Sequence, residues 1–409
     1  MLFRSRDDPG LDDRLRALVA EIEDALETTV DRLDRSFVDL GGDSLSYVRV
    51  SMSIEELYGR LPDRWEEQPL SLFAETDLAD AAPPEAVGLW SFVTLELSIL
   101  LRCVSILLVV MTHAGAGWSM AATSTLFVVS GINFERFIAP AIRRGRSLSP
   151  LWHFVARFAV PAGLWQLLRS GWVHAFWLPN ILLMGTFFQN PDHPVYTFWY
   201  LDVLAANVVV MGLLTRGLSA RSRPEADRFR EGLVLLAVAC GLAVVQSASG
   251  WWDGEIGRDS VAPFKWLWLL VLGSLVTEAD TPVRKWLLSA VAGVVCAMAA
   301  ASASWWPGLA GLVNGFLLLS IWALIWLPRV RLPRALKQVA VVVASSTLFI
   351  YIVNYSVIYH LMPRLGLPAW MPLQVALAVA VGVVMTRAWD RVTALATSLW
   401  RRPLAGRAS

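Results

Sequence analysis

From residue 92 onward this chain is a succession of apolar stretches, near 92–114, 118–138, 150–169, 174–190, 195–215, 231–249, 262–278, 286–304, 308–327, 337–361 and 369–388. Each comes close to the ~20 residues with which an α-helix crosses a bilayer. Backbone groups in lipid are satisfied within a helix, so the expected class is all-α with a polytopic membrane body. Composition agrees: 56% of the 409 residues are hydrophobic and 20 are Trp, more apolar surface than a soluble core buries.

The first 85 residues are of another kind. They hold 9 Arg and no Lys against 21 Asp and Glu, a balance of −12, whereas the remainder balances at +13. Two domains of opposite charge are joined, and no nucleic-acid partner is expected of the acidic head. Cys103, Cys240 and Cys296 all lie in apolar stretches, without disulfide or metal-ligand spacing, so no metal site is expected. No signal peptide precedes the head, which is expected to stay in the cytoplasm.

Within the head, Leu11, Leu15, Leu18, Val19, Ile22, Ala25 and Leu26 recur at helical spacing and predict a helix over 11–28. Leu40-Gly-Gly-Asp-Ser-Leu45 then offers two glycines for a sharp turn and two good N-cap residues, Asp43 and Ser44. The next helix is expected from Ser44 to Tyr58, with Leu45, Val48, Met52 and Leu57 inward, ended by Gly59 and Pro62. A short last helix at Leu70–Phe73 precedes an Ala-Ala-Pro-Pro linker at 81–84. On the tripeptide alone, Asp-Ser-Leu is only a helix cap. Followed by IEELYGRLPDRWEEQPLSLFAE, the motif resembles the acyl and peptidyl carrier proteins of fatty-acid, polyketide and nonribosomal peptide synthesis over roughly residues 11–80. The resemblance implies a four-helix bundle at 1–80, a linker at 81–90, and 4′-phosphopantetheine attached covalently to Ser44 beside Asp43. It also implies two partners, a phosphopantetheinyl transferase and an enzyme that activates and loads an acyl group or amino acid.

With the head inside, the loop holding Arg143, Arg144 and Arg146 is cytoplasmic, as positive-inside sorting wants. If all eleven stretches crossed, Arg216, Arg221, Arg223, Arg228 and Arg230 would lie outside. One non-spanning stretch within 150–190 returns that loop, the 329–337 loop and the 389–407 tail to the cytoplasm. Pro179 and Asn180 single out 174–190 as that partial element. The expectation is about ten spans over 91–390 in the cell (inner) membrane, with both termini cytoplasmic and a basic tail at 391–409.

Polar residues inside the stretches are the candidates for chemistry. Arg102 and His113 are eleven residues apart, three turns and ~16 Å along one helix face. An arginine at membrane depth needs a polar cavity or a partner, and a neutral imidazole suits a general base. The competing reading sets His113 at the interface and pairs Arg102 with an acid such as Glu96. Asp202 is either functional or a structural partner of Arg157 or Arg102. Tyr351, Asn354 and Tyr355 share a face, and knitting helices together is the favoured reading over lining a cavity. His153 and His360 read as interfacial, and His174 has no assigned role.

The pattern R-x10-H, then F-x-x-S-G in TLFVVSGINFERF, then R-x3-P in HFVARFAVP resembles the acyltransferase family 3 membrane proteins over roughly 90–390. These relatives modify sugars and other small hydroxylated molecules. Arg102 and His113 match the paired first-span residues, Ser130 and Gly131 the Ser-Gly, and Arg157 and Pro161 the third-span Arg and Pro. FWYLDVL, containing Trp199 and Asp202, resembles the aromatic fifth-span segment with Phe198 where His is common. In SSTLFIYIVNYSV, Asn354 replaces a frequent His. Both departures weaken the case for a second catalytic histidine, with His193 as a loop candidate to compensate.

Together the two resemblances imply a membrane acyltransferase of secondary metabolism. An acyl or aminoacyl thioester on Ser44 would pass to a hydroxyl or amine of a small molecule, peptide or glycan. His113 would be the base, Arg102 would hold the arm or balance carbonyl charge, and Ser130 would donate a hydrogen bond. Arg157, Trp199, Asp202 and Asn354 would line the cavity. Tethering brings such a donor to roughly millimolar effective concentration. The alternatives are acyl-CoA as donor with a regulatory carrier, and a non-enzymatic platform or exporter that anchors a carrier.

Overall fold

The computed structural model describes residues 12–26, 28–42, 44–59, 61–62, 64–74, 90–117, 121–144, 148–173, 176–185, 187–188, 198–219, 227–249, 262–302 and 310–405. The head begins with α1 (Asp13–Leu26), which buries Leu15, Leu18, Val19 and Ile22, the face its periodicity predicts. α2 (Ser44–Tyr58) starts and stops where the sequence places it. Its inward face is rotated from the expected one. Tyr47, Val48, Val50, Ile54 and Tyr58 are buried, while Met52 and Leu57 are only half-buried. Aromatic residues cause this rotation. Trp65 is fully buried, stacked on Tyr47 with ring centroids 5.4 Å apart, against Phe37 at 4.9 Å and Phe73 at 6.4 Å. Short 3-10 turns at Trp65–Glu67 and Leu70–Ala74 hold these rings in place.

β1 (Phe92–Glu96) leads into α3 (Leu97–Met111), which widens into a π-turn at Thr112–Ala116. Then come α4 (Ala122–Phe137), α5 (Ala139–Arg143), α6 (Ser149–Val173), α7 (Leu178–Ile181), α8 (Trp199–Ser219), α9 (Arg228–Ala248), α10 (Leu267–Glu278), α11 (Pro282–Ser302) and α12 (Ala310–Trp326). β2 (Arg329–Pro333) and α13 (Arg334–Ser345) are followed by α14 (Thr347–Ser356), a second π-turn at Val357–Leu361, α15 (Met362–Arg364) and α16 (Met371–Ala405). β1 and β2 pair antiparallel. The Leu97 N–H donates to Pro328 O at 2.8 Å and the Arg334 N–H to Ser91 O at 2.9 Å. The first apolar stretch therefore opens as a strand, because β-branched and aromatic residues of Phe92–Leu95 find a partner strand.

The described residues are all-α apart from this ribbon and an isolated antiparallel bridge between Ser36 and Pro69. Among them, five helices are long and apolar enough to cross a membrane, or six if the pair around Ser346 counts as one. Several such helices mark a membrane-spanning protein. The stretch 337–361 is not one continuous helix. It breaks at Ser346, and α13 buries Lys337 with Ala340, Val341, Val343 and Ala344 on one face. Within 174–190 the described residues hold the four-residue α7, with Pro179 in its first turn.

The chain divides into two units: the described residues within Met1–Val93, Leu332–Ser345 and Val383–Ser409, and those within Thr94–Arg331 and Ser346–Gly382. In the second unit α4 and α10 cross with almost no space between backbones. A Cβ at Gly131 would sit 1.9 Å from the Leu270 carbonyl oxygen, and one at Gly273 would sit 1.9 Å from that of Val128. Small residues at such a crossing are the usual means of bringing apolar helices together in lipid.

In the first unit the Tyr58 ring is fully buried and its hydroxyl has no partner among the described residues. Burial, helped by Asp12, pushes its pKa up to about 12. An unfolded tyrosine ionises near 10, so this stability is complete below pH 10 and is lost as the pH rises through 12, about 3 kcal/mol in all. Pulse proteolysis with an alkaline-active protease should show α2 of the full chain becoming cleavable across that window. Tyr58→Phe should flatten the dependence.

Candidate functional site

Two places carry the chemistry, one in each unit. In the first, the chain turns through Leu40-Gly-Gly just ahead of α2. Gly41 adopts φ +91°, where only glycine is unstrained. Gly42 is required by space instead, since a Cβ there would lie 2.2 Å from the Phe37 ring. The Gly41 N–H donates to Val38 O at 3.1 Å and the Gly42 N–H to Phe37 O at 3.0 Å. Ser44 is the first residue of α2 and the only hydroxyl of the LGGDSL motif. Both glycines are therefore consumed by the turn, which suits the serine to attachment of a group at the helix start. The Ser44 side chain and Asp43 lie outside the described residues.

In the second unit, the π-turn at Thr112–Ala116 carries His113, and α14 carries Asn354. His113 Nδ1 and Asn354 Oδ1 are 2.5 Å apart. The amide cannot be reversed, because Asn354 Nδ2 already donates to Ile350 O at 3.1 Å and Tyr351 O at 2.6 Å. Its oxygen therefore accepts from the Nδ1–H, and the lone pair of the imidazole lies on Nε2. Asn354 is 1% exposed, so this hydrogen bond is dry on the asparagine side. The Tyr359 hydroxyl, on the second π-turn, donates to His113 O at 2.7 Å. The two π-turns thus meet, and single π-turns of this kind are frequent at functional sites.

A second group joins this one through Tyr351. The Tyr200 N–H donates to the Tyr351 hydroxyl at 3.4 Å, and the two rings meet edge to face at 5.5 Å. The Tyr200 hydroxyl lies 3.4 Å from Ser130 Oγ and interacts electrostatically with Arg102. Ser130 gives its own proton to Leu126 O at 2.8 Å, so Tyr200 is the donor of the pair. Arg102 is half-buried and has no carboxylate partner among the described residues. Glu96, its alternative partner from sequence, instead accepts from Arg136 at 2.9 Å.

The structure thus gathers Ser130, His113 and Asn354 into one network with Tyr200 and Tyr351. Asp202 is 1% exposed and interacts electrostatically with Tyr351. Trp199 belongs to an aromatic wall, 5.8 Å from Trp266 and 6.3 Å from Tyr200. Arg157 is exposed on α6. Exposed His153 bonds the Ser149 carbonyl at 2.7 Å, one turn away. His174 and His193 lie outside the described residues. Sequence reasoning missed Tyr200, although it stands inside the FWYLDVL segment. It also missed a buried cluster in which Glu135 accepts from Ser274 at 2.5 Å and from Arg143 at 3.1 Å. There a carboxylate 4% exposed is fully paired, which marks a structural fastening.

Residues 13–65 match a family described as a phosphopantetheine attachment site, and the matched span contains the whole LGGDSL turn. Such a domain carries 4′-phosphopantetheine covalently, the product of a phosphopantetheinyl transferase. No curated protein and no solved structure matches the chain.

Proposed function

With a phosphopantetheine attachment domain at residues 13–65 as the premise, we propose that the chain is a membrane-bound acyltransferase that uses its own carrier domain as donor. Ser44 is the attachment residue, with Asp43 beside it. An activating enzyme loads the arm, and the acceptor is a hydroxyl or amine of a small molecule, peptide or glycan. The head completes a four-helix bundle. The body crosses the cell membrane about ten times with both termini cytoplasmic, a side supported by Arg143 and Arg144 and by the Arg-rich 216–230 loop.

The observation that carries this reading is the hydrogen bond from His113 Nδ1 to Asn354 Oδ1. It holds the imidazole in the tautomer whose Nε2 can take a proton. When bound, phosphopantetheine supplies a thiol that carries the acyl group as a thioester and accepts a proton when that group leaves. His113 Nε2 takes the proton of the acceptor and afterwards gives it up. Arg102 balances negative charge that develops on the acyl carbonyl oxygen, work that a fixed charge in a low-dielectric site does well. Ser130 fixes Tyr200 by accepting from it.

The test is a chase. The full chain in lipid nanodiscs is loaded at Ser44 with a labelled acyl group and offered a panel of hydroxyl and amine acceptors. Label should leave the chain and reappear on an acceptor as an ester or amide, with Ser44→Ala taking up no label at all. Label that stays on the chain, or appears only as free acid, would sink the acyltransferase reading and favour a carrier platform.

A further inference from the structure

Lys337 is 8% exposed, an unusual position for an ammonium group unless its charge is paired. Its Nζ is paired with Glu55 of α2, and one turn earlier on α13 Arg334 reaches Glu56 at 3.5 Å. All four residues belong to the first unit. Two adjacent acids of one helix thus meet two cations spaced i, i+3 on another, so the contact has a register as well as a sign. The chain has three lysines, Lys265, Lys285 and Lys337, and the buried one of these sits in this contact.

The contact also has a position relative to Ser44. Residues 44 and 55 are eleven apart on a continuous helix, which places them within ~20° of one face and ~16 Å apart along the axis. An enzyme that modifies Ser44 must seat itself over that end of α2. A standard interface covers ~800 Å² of each partner, a patch roughly 30 Å across, so along this face its edge reaches Glu55. The face needed by the modifying enzyme is the one α13 occupies.

We infer that α13 is a resident dock for the carrier's second helix, and that the docked carrier is withheld from the enzyme that modifies Ser44. Release from α13 precedes each modification. The inference rests on Ser44 being the attachment residue and is independent of whether acyl transfer follows.

Two measurements on the full chain in nanodiscs test it. A zero-length carbodiimide should join Glu55 to Lys337 as an amide, and with three lysines present the cross-linked peptide pair is readily identified by mass spectrometry. Transfer of phosphopantetheine from coenzyme A by a broad-specificity transferase should then be at least about five-fold faster for Lys337→Glu, the worth of one modest ion pair. Lys337→Gln should show the same direction with less perturbation of the helix. The swap Glu55→Lys with Lys337→Glu should restore the cross-link. Absence of the Glu55–Lys337 peptide, or wild-type modification rates in both Lys337 variants, would overturn the dock. If label transfer to acceptors fails while these results hold, the acyltransferase reading falls and the dock stands.

Discussion

His113→Ala should slow acyl transfer from the loaded chain by ~10²–10⁴-fold, the usual contribution of a positioned general base. The mass added at Ser44 should be unchanged, because His113 lies in the other unit. The size of the effect follows from the tautomer. Asn354 Oδ1 accepts from Nδ1, which leaves Nε2 as the nitrogen that meets the substrate. Asn354 is a positioning residue here, and its variants separate that role from simple packing. Asn354→Ala leaves both tautomers populated and should lower the maximal rate. Asn354→Asp puts a carboxylate against the ring, favours the imidazolium, and should move the rising limb of the profile to higher pH. Wild-type turnover in His113→Ala would remove His113 from the mechanism, and an Asn354→Asp profile identical to the wild type would remove Asn354 from its side.

Gly131→Ala should cost the second unit ~3 kcal/mol or more, seen as a collapse in the yield of folded chain from detergent and a lowered thermal midpoint. A methyl group placed 1.9 Å from a backbone oxygen cannot be relieved by a side-chain rotation. α4 and α10 would have to separate, giving up contacts along their whole crossing. The same exchange at Gly293, where a Cβ meets nothing within 4 Å, should be neutral or mildly stabilising because alanine is the better helix former. Equal behaviour of the two variants would mean that the crossing is looser than its geometry. The result also bears on the Ser-Gly pair. Gly131 is explained by helix packing alone, and only Ser130 touches the polar network.

Much of this was legible in the chain itself. Apolar stretches of spanning length dictate helices because lipid offers backbone groups no other partner. LGGDSL located the turn before α2 and the serine that opens it. Those features are local, so spacing along the sequence is enough to read them. Which polar residues meet is not local. Asn354 looked like the loss of a histidine, yet it lies 241 residues from His113 in sequence and holds its ring. Lys337 looked like part of an apolar span, yet it is the cation that receives Glu55, 282 residues away. Periodicity reports which way a residue faces along its own helix and is silent about what another helix brings to that face. The sequence by itself determined the helical class and the attachment motif. Only the tertiary structure decided the tautomer of His113, the pairing of Tyr200 with Ser130 and the docking of α2 on α13. Each of those depends on two distant segments arriving at hydrogen-bonding distance.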